Sequence, residues 1–176
     1  YHAYEDYDNA IGYSKQITPL VKQHFNGHRI TLHYNLLAMA YQNKLLYDSA
    51  IVYHIKTKEI GPPEVSLVWQ AIGDGNIGTN YFFQQKYDLA RPLLKAAIDS
   101  TVAYNQYSNA GAFAMRLASI MSIQNQYDDA IKYFKLAKEY LFKQYGPKGA
   151  REYYQLLEKH HKRYNQIEQT YEASDS

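Results

Sequence analysis

Cysteine is absent from this 176-residue chain. That excludes disulfides, cysteine-based metal sites and a thiol nucleophile, and it leaves the compartment open, because oxidising and reducing compartments both tolerate cysteine-free chains. Long apolar runs are missing too, so no segment approaches the roughly twenty apolar residues that a membrane-spanning helix needs. Charge of one sign is not in excess: 19 Lys and Arg against 17 Asp and Glu leave a net +2, too little for a nucleic-acid footprint, which requires a clustered basic surface. The one basic cluster, Lys159-His160-His161-Lys162-Arg163, is expected to be a solvated helix face. No leader-like pattern follows Tyr1. What is abundant is tyrosine, with 20 copies in a composition that is 46% hydrophobic, enough for a packed interior.

Those tyrosines are spaced regularly. Tyr-Asp-X-Ala occurs at Tyr7, Tyr47, Tyr87 and Tyr127, forty residues apart each time. A period of this length marks an array of stacked units, each burying its apolar face on its neighbours. Aligned at the same period, Leu37, Ile77, Leu117 and Leu157 form a branched aliphatic column. Ala38, Gly78 and Ala118 form a small one, and Tyr41, Tyr81 and Met121, with Tyr1, a third. Beyond the tetrapeptide stand Ala10, Ala50, Ala90 and Ala130, then Tyr13, Tyr53, Leu93 and Tyr133, then Ile17, Thr57, Ala97 and Ala137. Steps of three, four and seven are helical, so each unit holds two helices. Helix A carries Leu-small-x-x-Tyr, and helix B opens near Tyr-Asp, with the Asp in its first turn facing the positive end of the helix dipole.

Asn26-Gly27, Gly61-Pro62-Pro63 and Gly146-Pro147 supply the breaks, and Asn105 to Asn109 reads as a polar turn. The spacing predicts helices over 4–24, 29–43, 47–60, 64–84, 87–104, 108–124, 127–145 and 148–164, with a stub after Asn165. Residues 1–28 read as helix B of a truncated first repeat. Residues 29–63, 64–107 and 108–147 read as full repeats, and 148–176 as a degenerate capping repeat, with Glu158 in the small column. The cut register at both ends predicts a piece of a longer protein, with more repeat ahead of Tyr1 and something else beyond Ser176.

The small columns, the tyrosine columns and Pro62 resemble the tetratricopeptide repeat over nearly the whole chain, with about six residues more per unit than the usual length of about 34. The resemblance implies an all-α, right-handed superhelical solenoid of antiparallel helix pairs, its concave face lined by the A helices. Asp74 departs from the family, which favours an aromatic there, as Tyr34 and Tyr154 provide; a local adjustment is expected. A subfamily that clamps chaperone C-termini would need Lys, Asn, Asn, Lys and Arg at Asn35, Met39, Asn76, Ala112 and Arg116. Only Asn76 and Arg116 match.

Candidate chemistry is sparse. Gly73-Asp74-Gly75-Asn76-Ile77-Gly78 spells a dinucleotide fingerprint, but Ile77 and Gly78 already belong to repeat columns, and no parallel strands flank it. Gly73 and Gly75 are not required by the small column; they are expected to mark a kink or a place where a partner's backbone approaches closely. His24 and His28 have the i, i+4 spacing of a zinc pair without a third ligand, and His160 and His161 point to different helix faces. No catalytic constellation, cofactor site or metal site is expected. Ten tyrosines fall in packing columns, whereas Tyr4, Tyr104, Tyr107 and Tyr145 are freer.

The resemblance places Asn35, Met39, Gln42 and Asn43 of one A helix, Asn76, Thr79 and Phe83 of the next, and Arg116 and Ser119 of a third on the concave face. Amides can pair with both the N–H and the C=O of an extended peptide, and Met and Phe offer apolar contacts. The expected partner is a protein or peptide. In composition the chain looks like the sensor regions of bacterial signal-transduction proteins. The alternative is an architectural role, in which the repeats space other domains or self-associate as a homodimer with an empty groove.

Overall fold

In a computed structural model the described residues are 2–60, 63–146 and 151–174, and they are helical throughout apart from short turns. Eight helices are present among them: α1 His2–His24, α2 Gly27–Asn43, α3 Tyr47–Ile60, α4 Pro63–Phe83, α5 Tyr87–Ala103, α6 Tyr107–Ile123, α7 Tyr127–Tyr145 and α8 Arg151–Ser174. None is long and apolar enough to cross a membrane. Tyr1, Gly61, Pro62 and Pro147, which the sequence reading used as a column member and as breaks, lie outside the described residues.

The forty-residue period reappears in the backbone. Leu45, Gln85 and Asn125 each adopt a left-handed φ, of 60, 60 and 61°. Around each, the same pair of bonds closes the preceding helix. Leu46 N–H reaches Tyr41 O at 3.0 Å, Lys86 reaches Tyr81 at 2.9 Å and Gln126 reaches Met121 at 2.8 Å, with a shorter-range bond from residues 45, 85 and 125 inside each. This is the Schellman arrangement that satisfies a helix's last carbonyls. A fourth copy at Asn105, φ 57°, joins Gln106 N–H to Thr101 O. It stands twenty residues out of phase with the tetrapeptide series and opens α6 with Tyr107-Ser108-Asn109-Ala110, the same Tyr-x-x-Ala frame without the Asp. Tyr107 is therefore a turn residue. Its hydroxyl donates to Asn105 Oδ1 at 2.8 Å and the ammonium of Lys143 sits 3.8 Å from its ring centre. Tyr127 repeats the hydroxyl bond to Asn125 Oδ1 at 3.0 Å.

Left-handed backbone suits Asn but strains a Leu. Leu45→Gly is expected to stabilise the fold by about 1 kcal/mol. Asn125→Gly should give no gain, because Asn125 tolerates the conformation and anchors Tyr127. Urea midpoints of the two variants beside the parent check this.

The chain divides into two compact units, residues 1–100 and 101–176. In the first, α2 packs against α1, α3 and α4, and α3 against α4. Ile11, Leu37, Tyr41 and Ala50 form a buried cluster there, with Ala40 and Tyr53 against it. Gly78 does what the small column requires: a Cβ on it would lie 3.0 Å from Leu94 Cγ and 3.3 Å from Ala90 O, so α4 and α5 touch along this line. The Asp74 adjustment is also visible. Asp74 forms an ion pair with Lys58 of α3, and Gly73 leaves the room that the Lys58 stem occupies. What approaches Gly73 is thus the Lys58 side chain of the fold itself and not the backbone of a partner. In the second unit α6, α7 and α8 pack on one another. A Cβ at Gly111 would stand 2.6 Å from Leu141 Cγ and 3.2 Å from its backbone N, so Gly111 sets the approach of α6 to α7.

Two expectations are corrected at the ends. The first tetrapeptide does not open a helix: α1 runs from His2, and Asp8 lies in its second turn, paired with Lys44 of α2. Nor is there a break at Asn165, because α8 is one helix from Arg151 to Ser174. At both places the helix passes through the register position where internal units turn. Near Asn165 the turn frame is degraded in the sequence itself. Ile167 stands where Tyr127 supplies the hydroxyl that holds Asn125, and Thr170 stands where Ala130 is fully buried.

The buried face of helix B is offset from the expected columns. Ala50, Ala90 and Ala130 are fully buried, as are Thr57, Ala97 and Ala137, but between them the buried residues are His54, Leu94 and Phe134. Tyr53, Leu93 and Tyr133, the residues read as that column, are only half-buried, and Tyr13 is exposed. His, Leu and Phe share no chemistry, which is why a residue-type column does not reveal them.

Candidate binding face

Unit 1 assembles an amide face where α2 meets α4. Asn76 Nδ2 donates to Asn35 Oδ1 at 3.3 Å, and Asn35 Nδ2 points at Met39 Sδ at 3.7 Å. Seven residues along α2, Gln42 Oε1 accepts from Asn80 Nδ2 at 3.1 Å, and the same Asn80 amide donates to Asn76 O at 2.8 Å. At the end of the two helices Gln84 Nε2 donates to Asp48 Oδ1 at 2.7 Å, and the rings of Tyr47 and Phe83 stack at 5.6 Å and 15°. Asn35, Gln42, Asn76 and Phe83 are half-buried, and Met39 and Asn43 are exposed. Asn35, Gln42, Asn76 and Phe83 are each held on one side and open on the other.

Thr79 is different. It is buried, and its hydroxyl donates to Gly75 O at 2.9 Å, back along its own helix. The same holds in unit 2 for Ser119, buried and donating to Met115 O at 2.9 Å. Both hydroxyls are therefore committed to α4 and α6 themselves. Arg116 is half-buried on α6.

Asn80 was not singled out by the sequence, yet it is completely buried and ties α2 to α4. Its equivalents in the neighbouring units are Ala40 and Ile120. The signal lay in that mismatch, a polar amide in an otherwise apolar column. Its Oδ1 is buried without a partner, which leaves one acceptor unsatisfied in the core of this contact.

Compared with models of known protein families and with curated proteins, the chain matches none.

The histidines behave as structural groups. His24 and His28 are exposed, and among the described residues no cluster of His, Asp or Glu could hold a metal ion. Within the basic cluster Lys159, His161, Lys162 and Arg163 are exposed, but His160 is buried. His160 shares a 2.9 Å hydrogen bond between its Nδ1 and Ser122 Oγ, with Phe134 at 5.4 Å from its ring. Burial first, then the nearby His161 and Arg163, lower its pKa, so the ring is neutral at pH 7. His33 is lowered by burial in the same way, next to Thr18. His54 is the extreme: fully buried, without a hydrogen-bond partner on either nitrogen, and pushed by desolvation to a pKa of about 4.

Proposed function

We propose that this chain is a protein- or peptide-binding helical-repeat module, a right-handed superhelical solenoid of tetratricopeptide type that recognises an extended segment through the A-helix face. The observation that carries the reading is the amide face of α2 and α4. Asn76 uses its Nδ2 on Asn35 and Gln42 uses its Oε1 on Asn80. Asn76 Oδ1 and Gln42 Nε2 remain unengaged among the described residues, so the face presents one acceptor and one donor. The two rungs, seven residues apart on α2, are roughly 10 Å from each other at 1.5 Å per residue. Three residues of an extended peptide span about the same length. Such a peptide can donate an N–H to Asn76 and accept from Gln42, with Met39 and Phe83 supplying apolar contact at the flanks. Composition supports placing such a module in the sensor region of a larger bacterial signalling protein.

A peptide library selected on the full chain tests the reading. The selected peptides should bind the parent, and Gln42→Ala with Asn76→Ala should weaken them about 30-fold, from two lost hydrogen bonds of about 1 kcal/mol each. Phe83→Ala should weaken those with an apolar flank, and Arg116→Ala reports whether α6 takes part. Fluorescence anisotropy gives the affinities, and circular dichroism confirms that the variants fold. No selected binder, or binders indifferent to all four substitutions, overturns it in favour of an architectural role.

A further inference from the structure

One face of unit 1 is apolar and uncovered, and the repeat itself shows what covers the equivalent faces. On α1, Tyr13, Ile17 and Leu20 are 68, 45 and 55% exposed. They follow the i, i+4, i+7 stripe of one helix face. The equivalents of Ile17 in the other B helices, Thr57, Ala97 and Ala137, are exposed by no more than 1%. Tyr53, the equivalent of Tyr13, is half-buried because Tyr41 of α2 stacks on it at 5.3 Å and 10° and Tyr34 of α2 lies at 6.0 Å. Ala10 is exposed where Ala50, Ala90 and Ala130 are fully buried.

The adjoining stripe on α2 tells the same story. Leu32, Leu36 and Met39 are 42, 56 and 46% exposed. Their equivalents on α4 are Ile72, Asn76 and Thr79, of which Ile72 and Thr79 are buried and Asn76 is hydrogen-bonded to α2. Where α3 and α4 carry these stripes, the covering element is α2, a helix A. It lies against α3, the helix B that follows it, and α4, the helix A of the next unit. At α1 and α2 both stripes are present and this third helix is not among the described residues. The unpaired stripes are larger and more apolar than their covered equivalents, leucine and methionine in place of asparagine and threonine. Six large side chains on two adjoining stripes form the kind of patch that marks an interaction site.

We infer that the α1–α2 face is a docking site for one amphipathic helix of the helix A type, with a Leu-small-x-x-aromatic stripe. This helix seats between Tyr13, Ile17 and Leu20 on one side and Leu32, Leu36 and Met39 on the other. Its Leu-small stripe lies along Ala10 and Tyr13, where the internal unit packs Leu37 and Tyr41 with Ala50 and Tyr53. Its aromatic residue stacks on Tyr13 as Tyr41 stacks on Tyr53. The docking face shares Met39 with the amide face but rests on separate observations, and it stands whether or not the amide face binds a peptide.

The probe is a fluorescein-labelled peptide with this chain's own residues 27–46, tested against the full chain by anisotropy. Saturable binding is expected, weakened at least tenfold by Ile17→Asp and by Leu36→Asp and unchanged by Leu89→Ser, which alters a comparably exposed apolar side chain outside this face. Both aspartates replace exposed side chains and should leave the fold intact. Isolated helices of this length are marginal in water, so a second arm attaches residues 27–46 directly ahead of Tyr7, in repeat register, which raises the effective concentration to the millimolar range. The fused chain should unfold at a urea concentration higher by at least about 0.5 M than the same fusion carrying Asp in place of Leu37 and Tyr41 of the attached helix. Equal midpoints together with no peptide binding overturn the proposal. So does a dimer of the unextended chain that protects α1 and α2 from hydrogen exchange and persists in the fused chain, since the occupant is then a second copy.

Discussion

Acidification from pH 7 to about pH 4 is expected to destabilise the protein steeply, and His54→Leu to remove most of that loss. His54 is fully buried in α3, and desolvation holds its folded-state pKa at about 4 against 6.5 for an ordinary imidazole. Between those values the unfolded chain binds the extra proton and the folded one does not. Stability is therefore full above about pH 6.5 and falls as the pH drops towards 4, by about 3 kcal/mol in all from this one group. His33 and His160, lowered in the same direction, add losses of the same sign. His54 is also costly when neutral. A neutral imidazole always carries one N–H, and here neither nitrogen has a partner, which costs about 1–3 kcal/mol. Leucine fits the position: Leu94 occupies the same place in the next unit and is equally buried. His54→Leu should thus raise stability at pH 7 by about 1–3 kcal/mol and flatten the pH profile. Urea unfolding at half-unit intervals between pH 4 and pH 8 measures both. A parent profile as flat as the variant's would show that water reaches the imidazole.

The second large effect is Phe134→Ala, expected to cost about 3–5 kcal/mol, the range for truncating a buried phenylalanine. Phe134 is the counterpart of His54 and Leu94, and it fills the centre of unit 2. Its ring meets Tyr153 edge-on at 6.2 Å and 75° and His160 at 5.4 Å. Truncation leaves a cavity beside a ring whose low pKa depends first on exclusion of water. Hence a second readout: the His160 resonance in the variant should titrate closer to the ordinary value near 6.5, and the Ser122 bond should weaken. Phe134→Leu keeps most of the packing and should show a smaller loss of stability and a smaller shift. Thermal or urea unfolding gives the first quantity and an NMR titration the second. A Phe134→Ala variant with unchanged His160 titration would mean that α8 alone shields the ring.

Much of the architecture was legible because it is local. The helix starts at Tyr47, Tyr87 and Tyr127, and the Asp in each first turn, follow from spacing and from backbone electrostatics that act within one turn. The small column at Gly78 was legible for the same reason. Close approach favours a side chain no larger than a methyl group, and Ala38, Gly78 and Ala118 record that directly. The Tyr107-Ser108-Asn109-Ala110 frame was equally local, but it lies out of phase with the forty-residue series, so aligning at that period alone hid it.

What the sequence by itself determined, then, is the helical repeat, its period and the residue classes on each helix. Those follow from steps of three and four along one chain segment and from turn chemistry that neighbouring residues supply. Only the tertiary structure decided which face of each helix is sealed. It moved the buried column from Tyr53, Leu93 and Tyr133 to His54, Leu94 and Phe134, a rotation of one residue that composition cannot register when the column is chemically mixed. It buried Thr79 and Ser119, engaged Asn80 between α2 and α4, and left Tyr13, Ile17 and Leu36 open to solvent. Burial is a property of what lies opposite a side chain, and in a repeat every helix carries the same stripe whether or not a neighbour is there to cover it.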